Sequence, residues 1–179
     1  MGCLNTIQND IFCIILDMSP DPNNRSTKLN PVGHFMVAAG SVIEMGISGK
    51  ILLVQRAVNL DWHPGEWEIC YGRIDQFEDV EKGLRREVRE ELGITEITII
   101  KVLRVWHMFR GTKKAENELI GITYYCRTNN KIIKLSHEHS QYKWTLPEDA
   151  LKLVANEGIK QDINKFITSS TIPIVNTCQ

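Results

Sequence analysis

Four apolar residues, Val80, Leu84, Val88 and Leu92, recur at every fourth position of an otherwise highly charged stretch. At 3.6 residues per turn they fall along one stripe of a helix, with Glu, Lys and Arg on the rest of its surface. The spacing predicts a helix from about Glu78 to Leu92, and Gly93 behind it readily takes the left-handed conformation of a C-cap. Such a stripe must be buried against a partner layer, and strand-like segments lie on both sides of it. His34 to Ile43 and Lys50 to Gln55 read as strands joined by a turn at Ser48-Gly49. Residues 57–66 read as a loop and Trp67 to Tyr71 as a short strand. Ile97 to Met108, Leu119 to Cys126 and Gln141 to Thr145 are further strand candidates. Pro147 opens a helix at Glu148–Val154, and Ile159 to Ile167 forms the last one. Strands before and after a central helix predict a mixed α/β domain rather than a repeated β-α-β array.

Upstream, Ile11 to Asp17 is an apolar run of strand length, and Ser19 to Asn30 has the Pro, Asn and Ser content of a loop. The expected organisation is an N-terminal extension at 1–33 and one domain at 34–179. A chain of 179 residues buries enough surface to fold without staples. Its net charge is −1, so no general attraction to long nucleic acid is expected, and any phosphate chemistry must be local. The five cysteines are an odd number with no C-x-x-C pair, which favours a reducing compartment over a disulfide framework or zinc site. No apolar run reaches the roughly 18 residues of a membrane span, and no signal peptide is legible, so a cytoplasmic location is expected. Met1-Gly2-Cys3-Leu4-Asn5-Thr6 fits the myristoylation template, with Cys3 as a second acyl site; the alternative is a plain terminus.

The chemistry-bearing segment runs from Gly72 to Ile94. On a helix, Glu87, Glu90 and Glu91 project from one side, beside the apolar stripe. Like charges so crowded repel unless a cation joins them, and Mg²⁺ is a hard cation that takes oxygen ligands and bridges to phosphate. Arg86 can hold a neighbouring carboxylate through a forked pair. Gly83 lies one turn before Glu87, where a helix-interior glycine costs about 1 kcal/mol against alanine. One use for that cost is room for a ligand or metal shell. The bland alternative is a solvated helix face laced with weak ion pairs.

The spacing goes further than charge. Gly72, Glu78, Arg86, Glu87, Val88, Glu90, Glu91, Gly93 and Ile94 fill every specified position of G-x5-E-x7-R-E-U-x-E-E-x-G-U, where U is aliphatic. Chance agreement at one start is on the order of 10⁻⁹ or lower. The segment therefore resembles the Nudix box, and the flanking elements are compatible with that family's α/β/α sandwich over roughly residues 34–168. The resemblance implies a Mg²⁺- or Mn²⁺-dependent hydrolase that cleaves a diphosphate linkage in a nucleoside diphosphate joined to another group. It implies Glu87, Glu90, Glu91 and the Gly72 carbonyl as metal ligands, with Glu78 and Arg86 as a supporting pair. It places a general base on a later loop, where Glu138 in Ser136-His-Glu-His-Ser140 is the candidate, against an ordinary loop carboxylate. It makes Arg56 a candidate for substrate phosphate, against an ion pair. It also implies a small-molecule partner and, often, a homodimer.

Two rivals remain open at this stage. Isoprenoid-diphosphate isomerases share the fold, but their cysteine directly precedes the box glycine. Here Tyr71 holds that position and Cys70 should face the other way along a strand. Arg73 also replaces their metal-binding histidine. A non-catalytic nucleotide- or protein-binding domain is the second rival; a complete carboxylate set argues against it. Relatives that carry Pro-Gly-Gly contrast with Cys70-Tyr71-Gly72 here, and Tyr71 is expected to add bulk beside the metal loop. Phe109 to Thr112 match neither the proline of ADP-ribose hydrolases nor the tyrosine of dinucleoside polyphosphate hydrolases. The four tryptophans and Cys70 are expected to serve mostly in packing.

Overall fold

The computed structural model of the protein describes residues 34–170. The expected strand at 11–17, the loop at 19–30 and the acylation template lie outside the described residues.

Seven strands form one mixed sheet: β1 (Met36–Met45), β2 (Ile51–Arg56), β3 (Trp67–Glu68), β4 (Cys70–Arg73), β5 (Thr98–Phe109), β6 (Glu118–Thr128) and β7 (His139–Thr145). The α-helices among the described residues are α1 (Val80–Leu92), α2 (Pro147–Leu153) and α3 (Glu157–Ser170), and a single 3-10 turn spans Ala115–Asn117. The path β3-β2-β1-β6-β5 runs across the sheet, β4 pairs with β1 and β7 with β2. β1 and β6 are parallel over ten residue pairs, from Met36↔Leu119 to Met45↔Thr128. That pairing, between strands far apart in sequence, is possible because α1 and β5 lie between them in the chain.

β2 is buried on both faces, which is why its residues form a continuous apolar run. Leu52 and Val54 join Leu84, Val88 and Leu92 of α1 in one core; Ile51 and Leu53 join Ala150, Ile163 and Phe166 of the C-terminal helices in the other. The two helical layers thus take alternate residues of the same strand. The predicted stripe is borne out: Leu84, Val88 and Leu92 are fully buried and Val80 packs at its margin. Asp79 accepts from the Lys82 amide at the N-cap, and Gly93 caps the C-terminus at φ 67°. Pro147 stands at the start of α2 as expected.

The single strand expected at Trp67–Tyr71 is instead two short ones. β3 pairs with β2 and β4 pairs with β1, so the chain changes partner at the buried Ile69. An apolar run carries no mark of such a switch, because residues on either side of it remain extended and buried.

Candidate active site

β4 lies between the two helical layers, and its side chains go to alternate faces. Cys70 faces α1, and its thiol donates to Glu91 Oε2 at 3.2 Å. Tyr71 faces α3, where its hydroxyl donates to Asp162 and lies 3.3 Å from Thr123 Oγ1. Tyr71 therefore adds its bulk on the face away from the carboxylates, which corrects the expectation that it crowds the metal loop. Burial pushes its phenol well up, and the Asp162 charge adds to the rise. The isomerase position is thus held by a tyrosine bonded to Asp162, and the Cys70 thiol is buried against Glu91.

Gly72 returns to the α1 face. A Cβ there would stand 1.9 Å from Cγ of Glu87, so only glycine admits this approach of strand and helix. Gly83 has a related use. Its missing Cβ leaves room for Ile74 Cδ1 and Glu78 Oε2, which would lie 2.5 and 2.8 Å away. The space expected for a metal shell is filled by these two side chains.

Arg86 organises the charged cluster. Its Nε and Nη2 donate to Glu78 Oε1 and Oε2 at 2.9 and 2.8 Å, and Nη2 also donates to the Arg73 carbonyl. Its Nη1 donates to Glu87 at 2.8 Å and to Glu90 at 3.2 Å. The forked hydrogen bonds from Arg86, with help from the Asp75 amide, hold the Glu78 carboxyl well below the usual carboxylate range. The bland reading of a loosely paired solvated face does not describe this geometry.

The three glutamates differ in surroundings. Glu91 is buried, Glu87 is mostly covered, and the Glu90 side chain is 54% exposed. One helix side thus runs from core to solvent across four residues. Burial pushes the Glu91 carboxyl up to about 8; the Cys70 hydrogen bond opposes this, while the charges of Glu87, Glu138 and Glu68 add to it. Burial also raises Glu87, against the pull of Arg86 and with the push of Glu90 and Glu138. The Arg86 guanidinium leaves this negative charge undercompensated.

Glu138 comes within electrostatic reach of Glu87 and Glu91 although it is some fifty residues away in sequence. Its loop is tied down by its own carbonyl, which accepts from the Ala57 amide at 2.8 Å, and by Ser136 Oγ, which accepts from its amide. Arg56 donates to the Trp62 carbonyl at 2.7 Å and pairs with Glu68 at 3.0 Å. Glu68 also faces the buried His139 at 3.3 Å. Glu68 and His139 were missed from sequence; alternation along one strand would have set Glu68 beside Cys70.

The donor set suits a hard divalent cation: carboxylate oxygens with a backbone carbonyl beside them, and an excess of negative charge that Arg86 does not offset. Among the described residues no three such groups are already gathered around one point. Glu90 is turned to Arg86, and its exposure leaves its side chain room to rotate.

A cavity of about 380 Å³ is lined by Arg56 and Glu68 together with Tyr71, Arg104, Trp106 and Asn156, the last four from the α3 side of the sheet. Trp62 and Trp67 also line it, so three of the four tryptophans serve here, while Trp144 packs against the α1 core. The missing Cβ atoms of Gly40 and Gly121 let the Tyr71 and Trp106 rings lie close against the sheet.

The Nudix domain family model matches residues 34–166. A nucleoside triphosphatase, NudI, of Escherichia coli strain UMN026 is 31% identical over 122 residues, covering 64% of this chain and 86% of that one. An Ap4A hydrolase of C. elegans, solved as a binary complex, is 29% identical with a TM-score of 0.61, over 75% of this chain and 96% of its own. A MutT protein of Methanosarcina mazei shares the fold at a TM-score of 0.64 and 22% identity, over 78% and 98% of the two chains. The α/β fold and the box residues define a Nudix-type hydrolase, and the chain belongs to the Nudix family. Among the described residues, no helix is long and apolar enough to cross a membrane.

Proposed function

We propose that the protein hydrolyses a phosphoanhydride bond in a nucleoside triphosphate or a related nucleotide-derived diphosphate, by water attack at phosphorus with Mg²⁺ or Mn²⁺. The observation that carries this reading is the buried Glu91, crowded by Glu87, Glu138 and Glu68, while the nearby guanidiniums of Arg86 and Arg56 are engaged by Glu87 and Glu68 rather than by Glu91 itself. The relatives' names, a nucleoside triphosphatase and an Ap4A hydrolase, support a nucleotide substrate.

In this reading Glu87, Glu90, Glu91 and the Gly72 carbonyl hold the ion. Held there, a divalent cation would supply positive charge to the phosphate oxygens and would make the attacking water more acidic. Arg86 keeps Glu87 and Glu90 oriented and is itself fixed by Glu78. Glu138 takes the proton from the attacking water. Arg56, at the end of β2, meets a substrate phosphate from the cavity side, with Glu68 holding its guanidinium in place. A homodimer, on family grounds, and a cytoplasmic location, on the odd number of cysteines with no C-x-x-C pair, are part of the proposal.

A panel of nucleoside triphosphates, ADP-ribose and Ap4A, followed by phosphate and nucleotide detection with Mg²⁺, tests this reading. Turnover of at least one nucleotide supports it; no turnover of any of them contradicts it. Glu138→Gln is expected to lower kcat by about tenfold to a hundredfold on the best substrate, with the melting temperature nearly unchanged because the side chain lies in a polar loop. Wild-type kcat in that variant moves the base to a box glutamate.

A further inference from the structure

We propose that the cavity on the α3 face accepts a nucleobase bearing a ring carbonyl, and that Arg104 donates a hydrogen bond to that carbonyl. The inference rests on the nucleotide reading above and names the base class it would take.

The walls suit a planar ring. Trp62, Trp67, Tyr71 and Trp106 border the cavity, and its volume of about 380 Å³ falls in the range of small-molecule sites. The Tyr71 and Trp106 rings are held edge to face at 5.8 Å. Their polar atoms are already engaged: Tyr71 with Asp162, and Trp106 Nε1 with Thr123 Oγ1 at 3.0 Å. They therefore offer surface rather than hydrogen bonds.

The polar edge is set by Arg104. Asp162, fully buried, accepts from its Nε at 2.6 Å and from Nη2 at 3.1 Å, while Nη2 also donates to the Gly158 carbonyl at 2.9 Å. This forked pair neutralises the guanidinium and fixes its plane. Nη1 is left without a hydrogen bond among the described residues. A fixed donor with its charge already matched suits a neutral acceptor better than a phosphate. The α3 N-terminus offers no rival anion site, because Asn156 Oδ1 already accepts from the Gly158 and Ile159 amides at 2.8 and 3.2 Å.

The lining carboxylates Glu66 and Glu68 belong to the β3 segment, not to α3; their Oε1 atoms engage His63 at 3.0 Å, and Arg56 and His139. The carbonyl of Gly158 is taken by Arg104. The edge near α3 is thus a donor edge, and a ring with a carbonyl there leaves nothing unpaired. An amino group in the same place would face Nη1 donor to donor.

Two matched pairs of probes isolate this contact. IMP and AMP differ along one ring edge, a carbonyl with an adjacent N–H against an amino group with an adjacent bare nitrogen, and UMP and CMP make the same comparison on the smaller ring. Binding is read by quenching of tryptophan fluorescence, since Trp62, Trp67 and Trp106 line the cavity. The expected result is at least roughly tenfold tighter binding of the carbonyl member in one of the pairs. Arg104→Lys keeps a cation beside Asp162 but loses the fixed fork, and should bring that ratio to within about threefold. Equal binding within both pairs, or tighter binding of the amino members, overturns the proposal using the unmodified protein alone. Because this measurement needs no turnover, failure of the hydrolysis reading is separately visible as absent product in the substrate panel.

Discussion

Replacing Glu91 by Gln is expected to lower turnover by about a hundredfold or more, while the metal-free protein stays at least as stable as wild type. The two readouts move independently for a physical reason. Glu91 is a buried carboxylate whose carboxyl is pushed up to about 8 by burial, with the charges of Glu87, Glu138 and Glu68 adding to the rise. A glutamine of the same shape removes a charge that is costly to bury and keeps an oxygen able to accept from Cys70. Folding therefore loses little, while a divalent cation loses a charged ligand, and losses of this kind at a preorganised centre are of order 10²–10³ in rate. Turnover under saturating Mg²⁺ and thermal melting in chelator measure the two effects. Wild-type turnover in the variant contradicts the role given to Glu91, and a collapsed fold assigns it to structure instead.

Gly72→Ala is the second large effect. The added methyl would lie 1.9 Å from Glu87 Cγ and 2.0 Å from its Cδ, so one of the two elements has to give. β4 is fixed by its register with β1, Ala39 facing Gly72, and α1 is fixed by its buried stripe. The movable part is the Glu87 side chain, which must leave Arg86 Nη1. Displacing a reacting group by about 1 Å can cost a hundredfold in rate, whereas overpacking of this kind costs about 1–3 kcal/mol in stability. The expected variant is folded, melts a few degrees lower and turns over at about one hundredth of the wild-type rate. Full activity in Gly72→Ala would mean that Glu87 does not need its place beneath the strand.

Much of this arrangement can be read from the chain because two periodicities stay in phase with their elements. Val80 to Leu92 repeats at helical spacing against a real core, and the box carboxylates inherit their positions from it. The Arg86–Glu78 fork was implied by the resemblance to the Nudix box, whereas helical spacing alone offered Arg86 only a neighbouring carboxylate. What escaped were meetings set by tertiary packing. Glu68 shares the face of Cys70 by alternation, but its partners Arg56 and His139 come from β2 and β7 and meet it only in the folded sheet. Asp162 and Arg104 are fifty-eight residues apart and meet across the α3–sheet layer, where no local pattern pairs them. Gly83 was read as making room for a ligand, and the room is taken by Ile74 and Glu78; a missing side chain shows that space is needed without showing what fills it.

The central claim is that the α1 carboxylates support metal-dependent attack of water on phosphorus. Hydrolysis of the best nucleotide substrate in ¹⁸O-labelled water, with Mg²⁺ and then with excess chelator, tests it most directly. The account predicts one ¹⁸O atom in a phosphate product per turnover with Mg²⁺, and no turnover in chelator until Mg²⁺ is restored. Undiminished turnover in chelator, or product phosphate free of label, would contradict it.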